Sequence, residues 1–138
     1  MKSDESKSPR KLAWAVTILM LLVLPLSIFS QGAPQRVRFQ SGHSSATLKG
    51  RIAGFDTKDY IVGAKSGQAM AVRLTASNPS TYFVIYSING RATDMNETTE
   101  WSENLSESGD YLIRVFMMRS AARRKGAASN FTLTISIK

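Results

Sequence analysis

Two runs along the chain alternate strictly between apolar and polar positions. Met70, Val72 and Leu74 are separated by Ala71, Arg73 and Thr75, and Phe131, Leu133, Ile135 and Ile137 are separated by Thr132, Thr134 and Ser136. Successive side chains of a strand point to opposite faces, so each run predicts a strand with one buried face and one wetted face. Segments 82–86 and 111–118 are apolar on both sides apart from Arg114. They predict central strands, or strands covered on both faces. Further strands are expected over 46–52 and 60–64. Breakers separate these runs at regular intervals: Gly54, Ser66-Gly67, Asn78-Pro79, Asn89-Gly90 and Ser108-Gly109. Gly and Asn supply positive φ and Pro presets a turn. About seven short strands with such punctuation predict an all-β chain, folded as a single antiparallel β-sandwich or barrel. No long amphipathic helix is expected. The run RSAARRK (119–125) favours a turn or two of helix, because Ala and Arg suit it. Residues 91–107 are polar and acidic, and are expected as a loop with one weak strand near Trp101.

The first 32 residues change the picture of where this domain works. Lys2, Lys7, Arg10 and Lys11 precede an uncharged, Leu- and Val-rich stretch from Leu12 to Phe29, and small residues follow at Ser30, Gly32 and Ala33. This three-part pattern predicts a secretory signal peptide over 1–32, with a domain over 33–138 exported to the periplasm or beyond. The alternative is an uncleaved anchor, since the apolar stretch is at the short limit for spanning a bilayer. Membrane contact is expected only through that segment. Without residues 1–32, fourteen basic residues face eight acidic ones, a net charge of +6. There is no Cys, so no disulfide framework and no lipidated Cys. About 105 residues must then be held by their core alone, which is long enough for one domain.

Candidate chemistry is sparse. His43 is the one histidine, in GHSSA beside Ser44 and Ser45. Neighbours on an extended chain point away from each other, so a Ser-His catalytic pair is not expected. One His and no Cys give no metal-ligand set. The carboxylates sit in polar stretches that offer no reason for the raised pKa a glycosidase acid needs. No phosphate-binding glycine loop occurs. The expectation is a protein that is not an enzyme and takes no cofactor. One feature remains: Arg119, Arg123, Arg124 and Lys125 crowd one connection, and Ser108-Gly109 opens the strand before it. A strand of about eight residues spans roughly 27 Å, which puts the two turns at opposite ends. A solvated basic loop and an anion-recognising surface both fit this cluster, since the guanidinium fork suits carboxylate or phosphate. Nucleic acid is not the expected partner, because no aromatic residues interleave with the basic cluster.

The order and spacing of four stretches carry a resemblance. VRFQSGHSSATLKGRIAGFDTKDY (37–60), AKSGQAMAV (64–72), SGDYLIRVFMMRSAAR (108–123) and NFTLTISIK (130–138) together resemble the bacterial periplasmic inhibitors of g-type lysozyme and their i-type relatives. The FxxGHSSA start leans to the g-type branch, whereas YFVIY and MMRSAARR sit as well with the i-type branch. The resemblance implies a β-sandwich that blocks lysozyme by occupying its substrate cleft. It carries the SGxY element onto Ser108, Gly109 and Tyr111, and the RxxAR element onto Arg119 and Arg123. It also implies that both elements face the enzyme, which requires a bent strand or a broad contact surface. In that reading Ser108 offers a hydroxyl, Gly109 a close approach, Tyr111 an anchor beneath the turn, and the two arginines pair with acidic groups of the cleft. The competing expectation is a non-enzymatic envelope domain that binds anionic glycan or peptidoglycan through the same basic loop.

Overall fold

The alternation in the sequence sorts side chains into two layers. The computed structural model describes residues 32–87 and 92–138. The leader over 1–32, except its last residue, and the Asn89-Gly90 turn lie outside the described residues. Nine strands and one helical turn follow in chain order: β1 (Gln35–Arg36), β2 (Ser45–Ala53), β3 (Lys58–Ala64), β4 (Ala69–Ala76), β5 (Thr81–Ser87), β6 (Ala92–Thr98), β7 (Glu100–Asn104), β8 (Gly109–Met117), α1 (Arg119–Ala122) and β9 (Ala128–Ile137). One sheet has the order β1-β3-β8-β5-β6 and the other β2-β9-β4-β7. All pairings are antiparallel except the short β1–β3 ladder. Both sheets keep their edges, so the fold is an open sandwich and not a closed barrel.

The core lies between the sheets. Val62, Phe83, Ile113 and Val115 enter it from one sheet, and Met70, Leu133 and Ile135 from the other, all fully buried. Each such side chain contributes roughly 1.5–3 kcal/mol by leaving water. The strands expected to be central are so: β8 lies mid-sheet between β3 and β5, and β5 between β8 and β6. Their outward side chains, Leu112, Phe116, Tyr82 and Tyr86, are half-buried.

The expected loop over 91–107 is corrected. β6 and β7 occupy most of it. β6 reads ATDMNET and has no alternation to betray a strand. Its ladder is irregular as well: Phe83 opposes Thr98 while Ile85 opposes Asp94, so four residues of β6 stand against two of β5. β7 is the weak strand expected near Trp101; it buries that side chain, with Leu105 just beyond it.

β8 separates the molecule's two ends. It pairs from Gly109 opposite Ala64 to Met117 opposite Thr81. Eight strand steps make that about 26 Å. Turns 65–68 and 105–108 gather at the first end. The β2–β3 turn, the β4–β5 turn and α1 gather at the second.

Candidate partner-binding site

The Ser108 end is held by its own hydrogen bonds. The Ser66 backbone N–H donates to Ser108 Oγ at 2.8 Å, and Ser66 Oγ donates to the Ser106 carbonyl at 3.0 Å. Gly67 N–H reaches the Leu105 carbonyl at 2.7 Å, and Leu105 N–H the Gln68 carbonyl at 2.8 Å. The two Ser-Gly turns thus form one laced unit. Gly109 has a φ of 140°, a region that disfavours any side chain. Tyr111 is buried, and its hydroxyl donates to the Glu107 carbonyl at 2.6 Å. It anchors the turn from beneath and presents no surface to a partner.

The arginine end is built differently. One helical turn forms because Ala121 and Ala122 bury themselves, and both their N–H groups donate to the Met118 carbonyl, at 3.0 and 2.8 Å. Met118 N–H is fixed to the Ser80 carbonyl at 2.9 Å. Beneath lies a buried polar contact, Thr81 Oγ1 donating to Ser129 Oγ at 2.7 Å. On the other flank Gly54 N–H donates to the Ala127 carbonyl at 2.9 Å. Arg119 and Arg123 are four residues apart, share one helix face and are exposed. Arg123 Nε donates to the Arg119 carbonyl at 3.3 Å. An open depression of about 470 Å³ lies between the turn at Asn78 and Ser80 and the linker carrying Arg124 and Lys125.

Charge divides the ends further. Three arginines on the strands are committed to carboxylates. Arg36 forks Asp110 at 3.0 and 2.6 Å, Arg114 forks Asp59 at 2.8 and 2.7 Å, and Arg73 meets Glu100 at 3.3 Å. The hydrogen bonds to Arg36 hold the Asp110 carboxyl below its usual range. By contrast, Arg119, Arg123, Arg124 and Lys125 form no ion pair among the described residues. Two like charges at i, i+4 repel slightly, which is a local cost in an isolated helical turn.

The five residues singled out in the sequence therefore fall into two groups. Ser108, Gly109 and Tyr111 lie at one end of β8, and Arg119 and Arg123 beyond the other. β8 keeps continuous register with both neighbours, and no bulge interrupts it between the two groups. Among the described residues Phe55 is the one large hydrophobic side chain left exposed, at 68%. It lies in AGFDT, where no period marks it. His43 Nδ1 donates to the Ser41 carbonyl at 3.2 Å. Among the described residues no three of His, Asp and Glu converge as a metal site. A second open depression, of about 750 Å³, lies on the outer face of β2, β9 and β4 between Lys49, Arg51, Thr75 and Thr132. It gathers no acid–base pair.

Comparison with known proteins gives this geometry its context. No family model matches the chain. The Escherichia coli K12 inhibitor of g-type lysozyme is 31% identical over 125 residues, which cover 88% of this chain and 93% of that protein. The crystal structure of PliG from Aeromonas hydrophila, a periplasmic inhibitor of g-type lysozyme, is 32% identical with a TM-score of 0.69, over 76% of this chain and 96% of that one. PliG from Salmonella Typhimurium is 26% identical with a TM-score of 0.59, over 78% and 99%. These relatives are protein inhibitors of an enzyme and not enzymes themselves. The chain belongs to the family of periplasmic inhibitors of g-type lysozyme.

Proposed function

We propose that this protein inhibits a g-type lysozyme in the periplasm and does so with its arginine end. The family relationship supports the target and the compartment. The observation that supports the choice of end is the density of unpaired cations: Arg36, Arg73 and Arg114 meet carboxylates, whereas Arg119, Arg123, Arg124 and Lys125, close together in the chain, form no ion pair among the described residues. Glycosidases work with carboxyl groups inside a cleft. Arg119 and Arg123, projecting from a turn fixed on both flanks, suit such groups by charge and by fork geometry. The Ser108 end acts as a lock that sets the sandwich rim. Export rests on residues 1–32 acting as a cleaved signal peptide, which the N-terminal sequence of the periplasmic product checks.

The test is inhibition by the purified protein of g-, i- and c-type lysozymes side by side. The expected result is inhibition of the g-type enzyme. Arg123→Ala is expected to weaken it at least about tenfold, on the scale of 1.4 kcal/mol per decade, as befits a charge pair desolvated near an interface centre. Ser108→Ala is expected to leave it within about threefold. Inhibition of none of the three, together with pull-down on purified cell wall, would turn the assignment to an envelope-binding domain. A loss with Ser108→Ala that exceeds the loss with Arg123→Ala would move the contact to the other end.

A further inference from the structure

We infer that the outer face of the β2-β9-β4-β7 sheet is a second binding surface, separate from the arginine turn, and that it takes a carboxylate-bearing glycan strand of the bacterial cell wall. The outward positions of these four strands carry no apolar side chain larger than Ala. The opposite sheet turns Tyr82, Tyr86, Leu112 and Phe116 outward instead. Along the middle of the polar face the side chains are short. Thr132, Thr134 and Ser136 of β9 form a floor, half-buried among longer neighbours. Lys49 on β2 stands opposite Thr132, and Arg73 on β4 stands opposite Thr134. Two open depressions follow one another along this floor. The one of about 750 Å³ lies between Lys49, Arg51, Thr75 and Thr132, and another of about 530 Å³ lies between Arg73, Glu100, Thr134 and Ser136. Asn130 to Ser136 is six strand steps, about 20 Å, which leaves room for several sugar rings in a row.

Charge selects the occupant. Glu100 is the one carboxylate at these outward positions, and Arg73 meets it at 3.3 Å. Lys49 and Arg51 are exposed and form no ion pair among the described residues. Arg51 Nη1 donates to Asn130 Oδ1 at 3.4 Å, which holds the guanidinium over the floor. No Asp or Glu lines the larger depression. Two cations beside a row of hydroxyls suit a polyol that carries acid groups. Each Ser or Thr hydroxyl both donates and accepts, as sugar hydroxyls do. The guanidinium fork takes a carboxylate with two bonds. A folded protein partner would call for an apolar centre, which this face lacks. A single-stranded nucleic acid would call for aromatic platforms, which it lacks too. In the periplasm, the compartment of this family, the polymer with the fitting chemistry is peptidoglycan, whose sugar strands carry peptides ending in carboxylates. Holding the protein on that polymer raises its local concentration where a lysozyme attacks.

The experiment is co-sedimentation with purified, protein-free peptidoglycan sacculi at about 0.15 M salt, where diffuse surface attraction is largely screened. It compares the wild-type protein, the double variant Lys49→Gln with Arg51→Gln, Thr132→Phe and Arg123→Ala, with thermal midpoints recorded for each. The wild-type protein is expected to pellet with the sacculi, and the double variant to bind at least about fivefold more weakly with an unchanged midpoint. Thr132→Phe keeps both cations but fills the floor, and is expected to lose binding as well. Arg123→Ala is expected to bind as the wild type does. Chitin, whose sugars carry no acid, is expected to retain little of the wild-type protein. A wild-type protein that stays in solution, or full binding by the double variant, would overturn the surface. Full binding by Thr132→Phe would leave only diffuse charge and overturn the floor as a site. A loss with Arg123→Ala that spares the double variant would move wall binding to the arginine end. No lysozyme enters these readouts, so their failure leaves the inhibitor reading standing, and failure of that reading leaves them standing.

Discussion

Gly50 and Tyr60 show how single residues hold the sandwich together. Gly50 occupies an inward position of β2, and a Cβ there would come within 2.4 Å of Phe131 Cζ and 3.0 Å of the Tyr60 hydroxyl. Phe131 cannot yield easily, because its buried ring stands edge-on to Tyr60 at a centroid distance of 6.3 Å. Gly50→Ala is therefore expected to destabilise the fold by about 1–3 kcal/mol, as overpacking does, seen as a lower urea midpoint. The buried Tyr60 hydroxyl has no hydrogen-bond partner among the described residues, and burial raises its pKa. Removing an unsatisfied hydroxyl carries no lost bond. Tyr60→Phe is expected to leave stability unchanged or to raise it by up to about 1 kcal/mol, in the same urea titration. Neither property was legible in the sequence. The run TLKGRIA shows only that Gly50 falls on the inward parity, and nothing marks the ring that needs its space.

At the scale of elements, the regular strands could be read and the irregular ones could not. β4 and β9 announce themselves by period two, because each has one face in the core and one in water. β6 does not, because it sits at a sheet edge with shifted register. β1 is two residues long and carries no pattern at all. It is held by the parallel ladder to β3 and by the Arg36–Asp110 fork across to β8. That fork makes β1 sensitive to acid. Asp110 is depressed below its ordinary value of 3.8 in the folded state, first through its hydrogen bonds to Arg36. A depressed carboxyl contributes stability that is present above the unfolded value and lost as pH falls through the folded one. Backbone amide exchange at residues 35–37 is thus expected to be constant from about pH 8 to 5, once corrected for intrinsic rates, and to accelerate below about pH 4. In Asp110→Asn that acid-dependent step is expected to vanish. Its persistence would mean that another group holds β1.

Across the whole molecule, the length of β8 separates the two groups of residues singled out in the sequence. The length of β8 was legible in the sequence, and so was the conflict it poses: a regular strand of that length cannot bring its two ends to one point. The structure keeps β8 in regular register from one end to the other, and the proposed function places the contact at the arginine end. The resemblance supplied the identities of Ser108, Tyr111 and Arg123, yet not their different settings. Those became visible only with the hydrogen bonds that lace Ser108 to Ser66 and bury Tyr111, and with the absence of ion pairs at Arg123 among the described residues.

Hydrogen exchange of the protein with and without a saturating g-type lysozyme tests this account most directly. The predicted footprint is new protection at 53–58 and 118–127, with turns 65–68 and 105–109 exchanging as they do in the free protein. Protection confined to 65–68 and 105–109, with the arginine end unchanged, would contradict it.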